Sequence, residues 1–356
     1  MLPSVRARCS PSCTPKGDSS AYNVAMTSPA DIQARLGAAL PQQGNLVVAE
    51  AINTARRLRL PLYLVGGVVR DMLMGRAIKD VDLVVVGNAV RLASALAGAL
   101  SGEVVAKSQF GTAKLRILGQ DIDLVKARRE TYRKHGALPT IYPGAIADDL
   151  ARRDFTINAI ALRLDPAPMQ LLDPTGGQAD IRQGLIRVLH AASFQDDATR
   201  ILRAVRYEQR LLFRLEPDTE RLLRRDLPML DTISGDRIRR EMDLIFREEQ
   251  AAATLLRAAE LGVLAALDPH LPDAAALKQR VARLSADGLK EPLHYLGVLA
   301  YSMKQEDMEG FIRRLNMPAT WAKVVRDVAV ARESAASLAT ESSPAVVCRR
   351  LREMRL

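Results

Sequence analysis

Two patterning regimes divide this chain, and the change falls near residue 217. Before it, short apolar runs bounded by glycine, proline and aspartate predict strands mixed with helices. After it, apolar residues recur at three- and four-residue spacing and predict helices over 219–226, 234–249, 251–261 and onward. The first strong run, residues 62–65 (LYLV), reads as a buried strand. Gly66 and Gly67 break it, residues 68–74 predict a short helix, and Gly75 closes that helix. A second apolar run, 83–86, is introduced by Asp80 and Asp82. Residues 31–59 predict a helical segment broken near Pro41 and Gly44, with Asp31 and Asn45 as caps for its two pieces. Residues 88–100 predict an alanine- and leucine-rich helix ended by Gly102.

Further along, residues 103–106, 113–118 and 121–125 predict three strands, the last two joined by a tight turn at Gly119-Gln120. Residues 126–149, punctuated by Gly136, Pro139, Pro143 and Gly144, predict a long loop. In 151–162, Asp154 and Thr156 offer caps ahead of an apolar run. Residues 193–215 predict one helix. At about 100° per residue, Arg200, Arg203, Arg206, Arg210 and Arg214 fall within an arc of about 120°. Ile201, Leu202, Val205, Leu212 and Phe213 lie opposite. Trp321 and Tyr301 read as core residues of the helical half.

The chemistry enters at Asp80 and Asp82. Side chains in a strand repeat with a period of two, so both carboxylates share a face. Two such acids repel unless a cation lies between them, and hard oxygen donors suit Mg²⁺. Gly66 and Gly67, lacking Cβ atoms, let the backbone approach a phosphate and expose amides to it. Arg70 is placed to clamp phosphates, with Asp71 orienting it. Singly, a glycine pair is a turn and Asp-x-Asp is a solvated strand end; strand, glycines, helix and acids within 62–87 together point to metal-dependent nucleotidyl transfer. Asp123, in the apolar setting IDLV, is a candidate third carboxylate. Asp197 and Arg200, three residues apart on a helix, place an acceptor and a donor fork on neighbouring turns, a pair able to bond the edge of a base.

Composition widens this picture. At 356 residues and 48% hydrophobic the chain has material for two or three domains. A net charge of +10 calls for an anionic partner, nucleic acid first. No apolar run approaches the ~18–20 residues of a membrane span. Cys9, Cys13 and Cys348 form neither a disulfide framework nor a zinc pattern, which fits a reducing cytoplasm. His135, His190, His270 and His294 have no metal-like spacing. Residues 1–30, rich in Ser and Pro, predict a disordered leader, with organelle import as the alternative reading and Met26 as an alternative start.

GGVVRD at 66–71 followed by KDVDLVVVG at 79–87 resembles the signature of the class II tRNA nucleotidyltransferases and bacterial poly(A) polymerases, members of the polymerase-β-like nucleotidyltransferases. The resemblance implies an α+β fold. A polymerase-β-like head with a small mixed or antiparallel sheet (31–190) would precede an all-α neck (191–250) and body (251–356). It implies that Asp80 and Asp82, with Asp123 as a third acid, hold two Mg²⁺ for in-line attack of an RNA 3′-hydroxyl on CTP or ATP. RRDFTINA at 152–159 resembles the family's second motif. There Arg153 would meet the nucleotide, Asp154 would hold the ribose hydroxyl or brace Arg153, and Asn158 would support the loop. QDDATR at 195–200 resembles the EDxxR motif, with Asp196 in place of Glu. Asp197 and Arg200 would then select C or A, and Arg203 and Arg206 would bind phosphate. Residues 126–149 resemble the family's flexible loop. The implied partners are the tRNA 3′ end, CTP and ATP, with no DNA and no membrane. CCA, CC-only and A-only addition and poly(A) synthesis share these motifs. The stretch VVAKSQFGTAKL at 104–115 lacks the Gly–basic–basic patch of the poly(A) polymerases, which favours tRNA. A silent RNA-binding module on the same fold, and transfer to a protein or small molecule, are the remaining alternatives.

Overall fold

The computed structural model describes residues 28–78, 80–108, 111–131 and 139–339. Residues 1–27 of the expected leader and all three cysteines lie outside the described residues, while its last three, 28–30, are ordered as the cap and start of a helix. Helix α1 (Pro29–Ala39) is capped by Ser28, whose Oγ accepts from the Asp31 amide; Asp31 lies inside the first turn. Helix α2 (Gln42–Leu58) begins directly after Pro41, so Asn45 is internal rather than a cap. Its Nδ2 instead donates to the carbonyls of Gly37 and Leu40, fixing the bend between the helices.

The expected strand is β1 (Leu62–Val65), followed by α3 (Gly67–Leu73), β2 (Val81–Val85) and α4 (Ala89–Ala99). Strands β3 (Glu103–Lys107), β4 (Thr112–Ile117) and β5 (Gln120–Lys126) come next. Ile117 pairs with Gln120, so the hairpin turn is Leu118-Gly119, one residue earlier than expected. Both residues have positive φ, the geometry that matches strand twist in a two-residue turn. The span expected as a long loop contains β6 (Arg128–Thr131) paired with β7 (Thr140–Pro143), then α5 (Ile146–Ala151). Its Gly and Pro punctuation hid strands only four residues long. A tight turn at Thr156–Asn158 leads into β8 (Ala161–Asp165), then β9 (Gln170–Leu172).

These strands form a mixed seven-stranded sheet in the order β3-β4-β5-β2-β1-β8-β9, with β2 and β5 its one parallel pair. The period of two sorts its faces. Val81, Leu83, Val85, Ile122 and Leu124 enter the main core with α2 and α4. The other face carries only a small apolar cluster, including Tyr63, Val65, Val84 and Leu150, and leaves room for polar side chains beside it.

Helix α6 (Gly177–Gln183) and β10 (Leu185–Ile186) lead to α7 (Ser193–Asp196), α8 (Thr199–Leu211) and β11 (Arg214–Leu215), which pairs parallel with β10. Then follow α9 (Pro217–Arg225), α10 (Gly235–Phe246), α11 (Ala251–Glu260), α12 (Val263–Leu267), α13 (Ala274–Ala286), α14 (Pro292–Ala300), α15 (Gln305–Arg314) and α16 (Ala319–Ala339). Helix α8 packs on α10 and α11 and so ties the sheet half to the helical half. Trp321 is buried against Phe246, as a core residue should be. Tyr301 is not core: it is 47% exposed, with the Arg280 guanidinium over its ring. No helix among the described residues is long and apolar enough to cross a membrane.

Candidate functional site

Asp82 is the second residue of β2, and Asp123 is its direct partner on the parallel strand β5. Both point away from the main core, and with Asp80 they line one cavity of about 430 Å³. Burial raises the Asp82 carboxyl, and the charges of Asp123 and Asp80 raise it further, against the pull of Arg153 and Lys114; it is pushed up to about 6. A carboxyl raised this way marks a site short of positive charge. Lys114 Nζ, 3.5 Å from Asp123 Oδ1, relieves part of that shortage from β4. The donors are all hard oxygens. Among the described residues no three His, Cys, Asp or Glu are spaced to hold a metal unaided. The set therefore fits a cation that keeps waters and takes further oxygens from a phosphate, the habit of Mg²⁺.

A second cavity, of about 320 Å³, shares Asp80 and Asp82 and is closed by Gly67, Arg70, Arg76 and Tyr207. Arg153 crosses Gly66 nearby: a Cβ on Gly66 would lie 2.4 Å from Arg153 Nη1, at a φ of +70° that also disfavours side chains. Asp149 Oδ2 holds Arg153 by accepting from Nη2 at 2.9 Å. Burial would raise Asp149, but Arg153 and Arg152 outweigh it and keep the carboxylate charged. Arg153 Nε is buried with no partner among the described residues. Gly66→Ala should accordingly cost roughly 1–3 kcal/mol of stability through strain at this crossing. A thermal melt reads the effect, and a wild-type melting curve would mean that Arg153 moves aside freely.

Arg70 is not the open clamp expected from the sequence. It is 3% exposed, donates to Asp71 from Nε and Nη2, and donates to Asn158 Oδ1 from Nη1 at 2.7 Å. Asp71 does orient it, but the result is a strut between α3 and the turn at 156–158. Asp154 does not brace Arg153 either. Its Oδ1 accepts from the Phe155 amide and Asn158 Nδ2, and its Oδ2 accepts from Arg203 Nε at 2.9 Å and from Arg203 Nη2. Asp149 lies one helical turn before Arg153 and takes that task, while Asp154 turns inward toward α8. Burial alone would raise Asp154; the Arg203 charge and the hydrogen bonds of Asn158 and Arg203 win and hold it at about 2.

The helix expected over 193–215 is broken. Asp197 is extended, at φ −146° and ψ 100°, and separates α7 from α8. Its Oδ1 accepts from the Thr199 amide and hydroxyl and from Arg237 Nη2 at 2.8 Å. Asp197 is thus drawn into starting α8 and does not pair with Arg200. Arg200, 5% exposed, donates to the carbonyls of Ser193 and Arg152. The helix stops at Leu211, so Arg214 falls on β11 and Leu212 is exposed rather than packed. Of the remaining arginines, Arg210 faces solvent as expected, while Arg203 and Arg206 turn inward to acids. Arg203 meets Asp154 and Glu241, and Arg206 meets Glu241 and Glu248. With Arg70 they surround the Tyr207 ring at 5.1–5.5 Å.

Sequence reasoning passed over Tyr207, Asp149, Arg237 and Glu241. One signal was available: Arg237 and Glu241 stand one turn apart on α10, with charges opposite to Asp197 and to Arg203 and Arg206 on the facing segment. The structure thus gathers Asp80, Asp82, Asp123, Gly67 and Arg70 around two adjoining cavities. Arg200 reaches this head region through the Arg152 carbonyl, while the Asp197 side chain is held by Thr199 and Arg237.

The family described as the poly A polymerase head domain matches residues 62–187, and that described as the probable RNA and SrmB-binding site of polymerase A matches 212–274. The chain is 41% identical over 252 residues to an A-adding tRNA nucleotidyltransferase of Halalkalibacterium halodurans, covering 69% of this chain and 59% of that protein. It is 44% identical over 160 residues to a CC-adding tRNA nucleotidyltransferase of Deinococcus radiodurans, covering 44% of this chain and 42% of that one. An apo CCA-adding enzyme superposes with a TM-score of 0.77 at 32% identity, over 87% of this chain and 75% of the other. The Thermotoga maritima CCA-adding enzyme complexed with tRNA gives 0.73 at 32% identity, over 87% and 74%. The chain spans less than two thirds of the length of these curated relatives.

Proposed function

The chain belongs to the class II tRNA nucleotidyltransferase and poly(A) polymerase family, and from that premise we propose that it transfers a nucleotide from CTP or ATP to the 3′ end of tRNA without a template, releasing pyrophosphate. The observation that carries this reading is the one cavity that Asp80, Asp82 and Asp123 line together, crowded enough to push Asp82 up to about 6. Asp80 and Asp82 would hold Mg²⁺ there, with Asp123 as a third acid. Bound so, the ion would lower the pKa of the RNA 3′-hydroxyl and offset the charge of the triphosphate. Arg153, fixed by Asp149 and close enough to Asp82 to lower its pKa, is proposed to hold the sugar and phosphates.

Base choice is assigned to Asp197 and Arg200. Three donors fix Asp197 Oδ1, which leaves Oδ2 as the acceptor for the exocyclic amino group that C and A share. Arg200 would reach a base only by giving up a carbonyl it now holds. The finer reading is addition of the terminal A, since the A-adding relative matches at 41% over 252 residues, a longer span than the 160 residues of the CC-adding match at 44%, and a CCA-adding enzyme of Geobacillus stearothermophilus matches at only 31% over 266. The net charge of +10 supports RNA as acceptor. Binding of tRNA should weaken by at least about tenfold between 50 and 200 mM salt through counterion release. A filter-binding titration at both salts checks this, and a flat response would speak against a phosphate-bound acceptor.

Labelled CTP or ATP, Mg²⁺ and tRNA transcripts ending at the discriminator base, at CC or at CCA decide the subclass. ATP added only to the CC end fits the finer reading. CTP and ATP both used identify CCA addition, CTP alone identifies CC addition, and a long A tail identifies poly(A) synthesis. Neither nucleotide added removes the enzyme reading.

A further inference from the structure

Most guanidinium groups around the smaller cavity already have acids. Arg70 is held by Asp71, Arg153 by Asp149, Arg203 by Asp154 and Arg206 by Glu241 and Glu248. Arg210, which also lines the cavity, has Glu248 at 3.7 Å. Arg76 differs. It lines the cavity beside Asp80 and Asp82, is half-buried, and among the described residues its side chain makes no hydrogen bond or ion pair. Its position is set by the end of α3. The Gly75 amide donates to the Met72 carbonyl and the Arg76 amide to the Asp71 carbonyl, a left-handed helix stop with Gly75 at φ +67°. This stop fixes the backbone of Arg76 four residues before Asp80.

We propose that Arg76 receives the triphosphate tail of the incoming nucleotide, and the pyrophosphate as it departs. The proposal rests on the nucleotidyl-transfer reading and assigns within it a residue that neither the motifs nor the pairing pattern had singled out. Arg153 can meet the nucleotide from within its pair with Asp149, but the full charge of a polyphosphate beside two carboxylates also calls for a cation that no acid already neutralises. Drawing an arginine out of a buried ion pair would strand its acid without a partner, which is strongly unfavourable. A free guanidinium offers its planar fork to two phosphate oxygens with no such loss. In the transfer, the RNA 3′-oxygen bonds to the α-phosphorus and the bond to the bridging oxygen breaks. The electron pair leaves with pyrophosphate, and the hydroxyl proton passes to solvent. Arg76 would stabilise the charge that gathers on that leaving group.

The test measures binding to the full chain, with Mg²⁺ present, of ATP, AMP, CTP, CMP and inorganic tripolyphosphate, for wild type, Arg76→Ala and Arg76→Lys. Arg76→Ala is expected to weaken ATP, CTP and tripolyphosphate at least tenfold, AMP and CMP less than twofold, and tRNA not at all. Arg76→Lys should recover part of the loss. Because the Arg76 side chain has no hydrogen bond or ion pair among the described residues, Arg76→Ala should melt like wild type. Tripolyphosphate bound equally by wild type and Arg76→Ala overturns the proposal, as does an equal loss for ATP and AMP. Tripolyphosphate binding requires no transfer. A protein that adds no nucleotide therefore sinks the enzyme reading, while the Arg76 comparison still stands or falls on its own.

Discussion

A protein carrying Asp80→Asn with Asp82→Asn should lose nucleotide transfer by at least about a thousandfold and be no less stable than wild type. The two halves of this result have one cause. Asp82 rests at about 6 in the fold, pushed from 3.8 first by burial and then by Asp123 and Asp80. Between those values the folded state holds more protons than the unfolded one. Stability of the metal-free protein therefore falls as pH rises from about 4 to about 6, and stays lower above that range. The cost is on the order of 2–3 kcal/mol. Asn removes the charge and the cost together, so the metal-free variant should match or exceed wild type above pH 6. Mg²⁺ should raise the wild-type melting temperature, because it binds the folded state alone, and should leave the double variant unmoved. A double variant that melts lower than wild type in EDTA, or still responds to Mg²⁺, would contradict the placement of the cation between these acids.

Asp154→Ala should give the largest loss of stability, about 3–5 kcal/mol, or roughly 6–15 °C in melting temperature. Asp154 is buried and accepts from Arg203, Asn158 and the Phe155 amide. Removing it leaves Arg203 beside Tyr207 with only the longer contact to Glu241, and takes from Asn158 the carboxylate that steadies it where it meets Arg70. Its carboxyl sits at about 2, below the unfolded value of 3.8. The stabilisation is therefore complete above about pH 4 and is lost as pH falls through about 2. Thermal unfolding at pH 7 and in acid reads both effects. A loss below about 1 kcal/mol at pH 7 would reduce the pair to the rank of a surface ion pair.

Features set by neighbouring residues were legible in the sequence. Residues 62–65 are β1 as expected, and Asp80, one residue before β2, lines the same two cavities as Asp82. The position of Asp123 beside Asp82 depends on the sheet order, which makes β5 parallel to β2. The short strands at 128–131 and 140–143 were hidden because Gly and Pro next to four-residue strands look the same as loop punctuation. The arginine face of α8 was legible as a face, but its partners were not. Arg203 meets Asp154 across 49 residues and Arg206 meets Glu241 across 35, and no local pattern encodes such pairings. The break at Asp197 was missed for a related reason. The amphipathic pattern runs through it, while the Asp197 side chain turns back to the Thr199 amide and ends the preceding helix. Arg70 and Arg200 match motifs that suggest exposed recognition groups, yet both are buried and internally bonded.

The most direct test of the acids on β2 is single-nucleotide extension of a tRNA transcript ending in CC, with labelled ATP and Mg²⁺. It compares the full wild-type chain with the Asp80→Asn, Asp82→Asn form at equal concentration. Addition of one A by wild type and none by the double variant is the expected result. Equal extension by both would show that the chemistry lies elsewhere, and no extension by wild type with ATP or CTP on any of the three transcripts would show that this chain does not perform the reaction.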